Sequence, residues 1–174
     1  IARFLRGEFG RMDQVHPMIV ALLFAEDRRD ASALIRRWLQ EGRTVLLDRY
    51  VYSNIAFQCA KLSSPEESIA LEEWILRTEY EVYGIPRPDL NIFLDVPLSF
   101  VSGRLAAQRE GSDREYLHGG QDIHEADLDF QRRVREVYLR LCRKDPAFLR
   151  VDCCGADGQM PPAGEVFERI RKVL

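Results

Sequence analysis

Residues Thr44-Val45-Leu46-Leu47 form a short apolar run that stops abruptly at Asp48-Arg49. Tyr50-Val51-Tyr52-Ser53-Asn54-Ile55-Ala56-Phe57 then opens a segment rich in small polar and aromatic residues that reads as a helix. No other stretch restricts the fold as much. An apolar, β-branched run of this length after Gly42 predicts a buried strand. Charges at its carboxyl end fall where open α/β sheets bind ligands, outside the strand tips. An arginine there can hold a phosphate through two parallel hydrogen bonds, and an aspartate can orient a metal-bound water or a phosphate-binding partner. The same pair can equally be a strand-end ion pair that only caps the next helix.

Two further runs share this grammar. Asp89-Leu-Asn-Ile-Phe-Leu-Asp-Val predicts a second buried strand with Asp95 near its tip, and Phe148-Leu-Arg-Val-Asp a short third one. Helices fill the intervals. His16-Pro17 opens a long one, with Pro17 in the first turn and Gly42 as its stop. Others are expected near Val51–Ala60, Glu66–Tyr83, Pro97–Arg109, Ile123–Lys144 and Glu165–Leu174, and Ile1–Leu5 reads as the tail of another. Glu110–Gln121, with its glycines and mixed charges, reads as a polar loop. Strands alternating with helices imply an α/β fold with a parallel sheet.

Composition narrows the function. The formal charge of −3 argues against bulk nucleic-acid binding, which shows a basic face. No apolar run nears the roughly 20 residues that span a bilayer, so no membrane partner is expected. The four cysteines, Cys59, Cys142, Cys153 and Cys154, form no CxxC pair and point to a reducing, cytoplasmic setting. His16, His118 and His124 show no metal-ligand spacing, and no metal ligands are predicted. Among the 25 basic residues only Lys61, Lys144 and Lys172 are lysines, a bias that suits phosphate recognition.

From Asp48-Arg49-Tyr50 through Phe57 the sequence resembles the thymidylate kinase family, P-loop enzymes that phosphorylate dTMP to dTDP with Mg²⁺ and ATP. Other matching segments follow in order. Phe24-Ala25-Glu26-Asp27-Arg28 resembles the family's Phe-x-x-x-Arg segment, and Pro88-Asp89-Leu90 through Leu94-Asp95-Val96 its fourth strand. Residues 109–122 fall at the family's lid, and Phe130-Gln131-Arg132-Arg133-Val134 at the helix after it. The resemblance implies one kinase domain over residues 1–174, a three-layer parallel sheet flanked by helices in the nucleoside monophosphate kinase manner. Gly-x-x-x-x-Gly-Lys-Ser/Thr occurs nowhere in the 174 residues. Family members carry a strand, that loop, a helix and a second strand ahead of the point matching Ile1. Their first strand sits between the third and fourth. A longer protein is therefore expected, with the first two strands ahead of these residues.

The same resemblance implies roles. Phe24 stacks on thymine, worth about 1–3 kcal/mol in comparable sites, and Arg28 donates to a base carbonyl. Arg49 holds the acceptor phosphate, and Asp48 positions it or the magnesium shell. Asn54 reads the thymine edge, Phe57 packs on the sugar against a 2′-hydroxyl, and Ser53 bonds nearby or within its own helix. Tyr50 packs. Arg109 and Arg114 are lid candidates for charge neutralisation, Gln131 is a substrate contact, and Asp152-Cys153 begins the adenine cradle. Family members are generally homodimers, and the apolar face of His16–Glu41 suits that interface or an ordinary core. Two rivals remain: a deoxynucleoside kinase of the same fold, and a non-catalytic nucleotide-binding homologue.

Overall fold

The computed structural model describes residue 8, residues 14–106 and residues 128–174, which fall into two compact units divided after Pro88. The expected helix tail at Ile1–Leu5 and the lid at 109–122, with Arg109 and Arg114, lie outside the described residues.

The first unit is helical. Helix α1 (Pro17–Gln40) starts where His16 Nδ1 accepts the Met18 N–H at 3.2 Å, with Pro17 at a position that needs no donor. It ends in a Schellman turn: Gly42 N–H reaches Leu39 O and Arg43 N–H reaches Trp38 O, both at 3.0 Å, with Gly42 at φ +74°. Helix α2 (Val51–Cys59) packs on α1 through Val20, Ala21, Val51 and Ile55, all fully buried. Helix α3 (Pro65–Leu76) is capped by Ser64, whose hydroxyl accepts the Glu67 N–H. Beyond Leu76 the helix widens into a π-helical segment, Arg77–Val82.

The expected strand at Thr44–Leu47 does not form. Those residues carry no ladder, and Leu46 is 94% exposed. Strand pairing requires a hydrogen-bonding neighbour, and no described residue supplies one. The sheet among the described residues is accordingly two-stranded.

The second unit holds that sheet. Strands β1 (Asn91–Asp95) and β2 (Phe148–Asp152) run parallel, with Phe93 opposite Arg150 and Asp95 opposite Asp152. Helix α4 (Leu98–Ala106) follows β1, and α5 (Leu128–Lys144) precedes β2. On the α5 side, Tyr138 stacks on Phe93 at 4.7 Å and meets Phe148 edge-on at 6.1 Å. On the other side, Val166 and Ile170 of α6 (Ala163–Arg171) pack with Ile92 and Val151. Helices on both faces fit the near-continuous apolar strands of a parallel sheet.

Asp95 is buried at the tip of β1 and is neutralised from two directions. Arg135 bonds it through Nε at 2.5 Å and Nη2 at 2.9 Å, and Arg150 Nε at 2.7 Å. That hydrogen bonding raises the Arg135 guanidinium further above its already high pKa. Asp95→Asn leaves two guanidinium groups facing a neutral amide. The arginines are partly exposed, at 34% and 44%, which moderates the loss. Urea unfolding should show a destabilisation of about 1–3 kcal/mol.

Candidate active site

The carboxyl end of the Thr44–Leu47 segment presents Asp48 and Arg49 on an exposed bend. Arg49 has φ +66°, the one non-glycine residue with positive φ among the described residues. Holding a bulky residue there costs about 1–3 kcal/mol, a strain that concentrates at functional sites. The Arg49 guanidinium lies over the Phe57 ring, 4.9 Å from its centroid, a cation–π contact. Asp48 makes no salt bridge among the described residues, so an Asp48–Arg49 ion pair, the bland alternative, is not observed.

One turn into α2, Asn54 is buried and Phe57 nearly so. Asn54 Nδ2 donates to Ala21 O of α1 and to Glu79 Oε1, both at 3.0 Å, which leaves its buried Oδ1 without a partner. Arg28, one turn beyond the half-buried Phe24 on α1, grips the same carboxylate: Nε to Oε2 at 2.5 Å and Nη2 to Oε1 at 2.6 Å. Glu79 is fully buried. Phe24, Arg28, Arg49, Asn54 and Phe57 therefore all belong to the α1–α2 part of this unit. Ser53 is half-buried beside them, and its N–H bonds Tyr50 O at 3.0 Å.

Glu79 is the residue that sequence reasoning missed. Its signal was present: Leu71, Ile75 and Glu79 recur every four residues, placing an acid on the packed face of a helix. Tyr50 is anchored as packing, its hydroxyl donating to Pro86 O at 2.9 Å.

A separate concavity of about 780 Å³ in the same unit is lined by His16, Met18, Leu71, Trp74 and Arg77. It contains none of Phe24, Arg28, Arg49, Asn54 and Phe57, and its charged lining, Glu67, Glu73 and Glu81 against Arg77, is mostly acidic and does not suit a phosphate-bearing ligand. The geometry and chemistry favour the Arg28–Asn54 side.

Comparison with known proteins supplies the decisive observation. The thymidylate kinase family model matches residues 1–154. The chain belongs to the thymidylate kinase family. A thymidylate kinase of Mycobacterium tuberculosis is 34% identical over 142 residues, covering 80% of this chain and 63% of that protein. A probable thymidylate kinase of Caldivirga maquilingensis is 36% identical over 132 residues, covering 75% and 55%. The chain thus spans between about half and two thirds of the curated relatives it matches. Among solved structures, the Candida albicans thymidylate kinase aligns with a TM-score of 0.66 at 25% identity, covering 99% of this chain and 73% of that one.

The family's remaining expected positions lie in the second unit. Gln131 is half-buried on α5. The segment Asp152–Gly155, expected to cradle adenine, is tightly self-bonded. Cys153 N–H donates to Asp95 O at 3.0 Å, and Cys154 N–H to Asp152 Oδ1 at 2.9 Å. Arg169 Nη1 holds the carbonyls of Asp152 at 2.7 Å and Cys154 at 2.9 Å. Cys153 itself is buried, and burial pushes its thiol up, which disfavours the thiolate. Gly155 closes the turn: a Cβ there would lie 2.7 Å from Asp157 Oδ1 and 3.1 Å from Gln159 O. Among the described residues no cluster of three metal-ligating side chains occurs.

Burial pushes the Tyr50 phenol up to about 12, above its ordinary 10.0, and raises Tyr80 in the same direction. A phenol kept protonated by folding contributes stability that is complete below pH 10 and is lost as pH rises toward 12. Tyr50→Phe should flatten the alkaline fall of stability in that window, followed by denaturant midpoints and by tyrosinate absorbance.

Proposed function

We propose that the protein transfers the γ-phosphoryl group of ATP to dTMP, giving dTDP and ADP, with the two units acting as one kinase domain. The observation that carries this reading is Arg49, an exposed guanidinium on a strained backbone, stacked on Phe57 and close in sequence to Asn54. A residue held at an unfavourable φ at this point is consistent with a function that demands one orientation.

Phe24 covers the thymine ring, with Arg28 and Asn54 at its polar edge. Phe57 walls the sugar, where an aromatic face offers no partner to a 2′-hydroxyl, and Ser53 lines the same side. Arg49 holds the dTMP phosphate, whose oxygen forms the new bond to the γ-phosphorus as the bond to the bridging oxygen of ADP breaks. Such transfer depends on positioning and charge neutralisation more than on covalent chemistry. Arg109 and Arg114 contribute positive charge from the lid, Gln131 contacts substrate, and Asp152-Cys153 lie by the adenine.

Mg²⁺ fits as an ion carried by the nucleotide, because it is held through phosphates and one or two carboxylates rather than by a protein cage. When bound it neutralises phosphate charge, and exposed Asp48 is the carboxylate beside Arg49 able to enter its water shell. The exposed side chains Ile19, Leu22, Leu23 and Leu34 on α1 suit a second copy of the chain. The free cysteines fit a cytoplasmic setting.

In a coupled assay on the full-length protein, ADP release should depend on dTMP, be weaker with dUMP and absent with thymidine. No ADP release with dTMP overturns the reading, and release with thymidine favours the deoxynucleoside kinase. Arg49→Lys should cut kcat by roughly tenfold or more, since the bidentate grip is lost. Its melting temperature should stay within about 2 °C of wild type.

A further inference from the structure

Glu79 takes no part in the chemistry above, yet it is fully buried on the π-helical segment and bonded to both base-reading side chains. Its Oε1 receives Arg28 Nη2 and Asn54 Nδ2 together, at 2.6 and 3.0 Å. What those bonds leave over is specific. With Nε–H and one Nη2–H engaged, three N–H donors remain on Arg28, one on Nη2 and two on Nη1, and Nη1 makes no hydrogen bond among the described residues. The Asn54 amide is held in one sense, because flipping it would turn its oxygen against the oxygens of Ala21 and Glu79. Its Oδ1 is therefore a buried acceptor awaiting a donor. Native structures rarely leave such an atom without a partner, be it protein, ordered water or ligand.

We propose that Glu79 is a positioning residue that fixes the polarity of this pair: a donor from Arg28 beside an acceptor from Asn54. That pattern matches a pyrimidine edge presenting a carbonyl next to a ring N–H, as in thymine and uracil. It opposes an edge presenting an amino group next to a bare ring nitrogen, as in cytosine. The inference rests on the dTMP reading and adds to it the group that sets base selectivity. A neutral amide at position 79 presents oxygen or nitrogen with equal ease, so the enforced polarity disappears.

The test is calorimetric binding of dTMP and dCMP to the full-length protein and to its Glu79→Gln and Glu79→Asp variants, with thermal unfolding to establish that each folds. Wild type should prefer dTMP. The variants should lose roughly tenfold to a hundredfold in dTMP affinity while dCMP affinity changes less than about threefold, collapsing the ratio. Folded variants that keep the wild-type ratio overturn the role of Glu79 and leave the dTMP reading intact. A wild type with no preference overturns it as well. Failure of both variants to fold overturns it in favour of a purely architectural carboxylate. A wild type that binds neither nucleotide removes the dTMP reading itself.

Discussion

A carboxylate sealed from water has to be neutralised where it stands, because desolvating an isolated charge costs far more than a domain can tolerate. Glu79 meets that requirement with Arg28 and Asn54, which draws α1, α2 and the π-helical segment to one point. The remaining geometry of the first unit follows. Asn54 bridges to the α1 carbonyl of Ala21, Phe24 stands one turn from Arg28, and Phe57 continues along α2 to underlie Arg49. Packing among Val20, Ala21, Val51 and Ile55 fills the space between the helices. It is the polar contact, however, that specifies rotation and register, since apolar side chains tolerate sliding that a two-point guanidinium–carboxylate bond does not.

The second unit uses the same device with a different emphasis. Asp95 is as deeply placed as Glu79, yet its two arginines reach it from partly exposed positions on α5 and β2. One acid thus joins a helix to both strands of the sheet, while Phe93, Tyr138 and Phe148 cluster between α5 and the sheet. The Asp152–Gly155 segment leaves this platform with most of its backbone groups already satisfied by Arg169, Asp95 and its own turn. A loop bonded so thoroughly to itself is preorganised.

What the sequence made legible was governed by distance along the chain. His16-Pro17, Gly42 and Ser64-Pro65 act through their immediate neighbours, so the ends of α1 and the start of α3 could be read to within a residue or so. The apolar runs at Asn91–Asp95 and Phe148–Asp152 were equally plain, and they found each other as parallel partners. Thr44–Leu47 has the same composition but no described neighbour to bond, and a strand is a property of a pair. The site divides likewise. Asp48-Arg49 and the spacing of Phe24 and Arg28 were visible as local patterns, whereas the Arg28–Glu79 bond joins residues 51 positions apart. No local pattern encodes that bond.

The π-helical turn at Arg77–Val82 carries one consequence of its own. Each such turn accommodates an additional residue relative to an α-helix, so every side chain after it is rotated by about a quarter turn. The direction in which position 79 projects is thereby a matter of residue count upstream and not solely of residue identity. Removing a single amino acid from this turn, with Glu79 itself retained, would rewind the coil and carry the acid away from its partners. A one-codon deletion here would consequently undo the Arg28–Glu79–Asn54 contact while leaving all three residues unaltered.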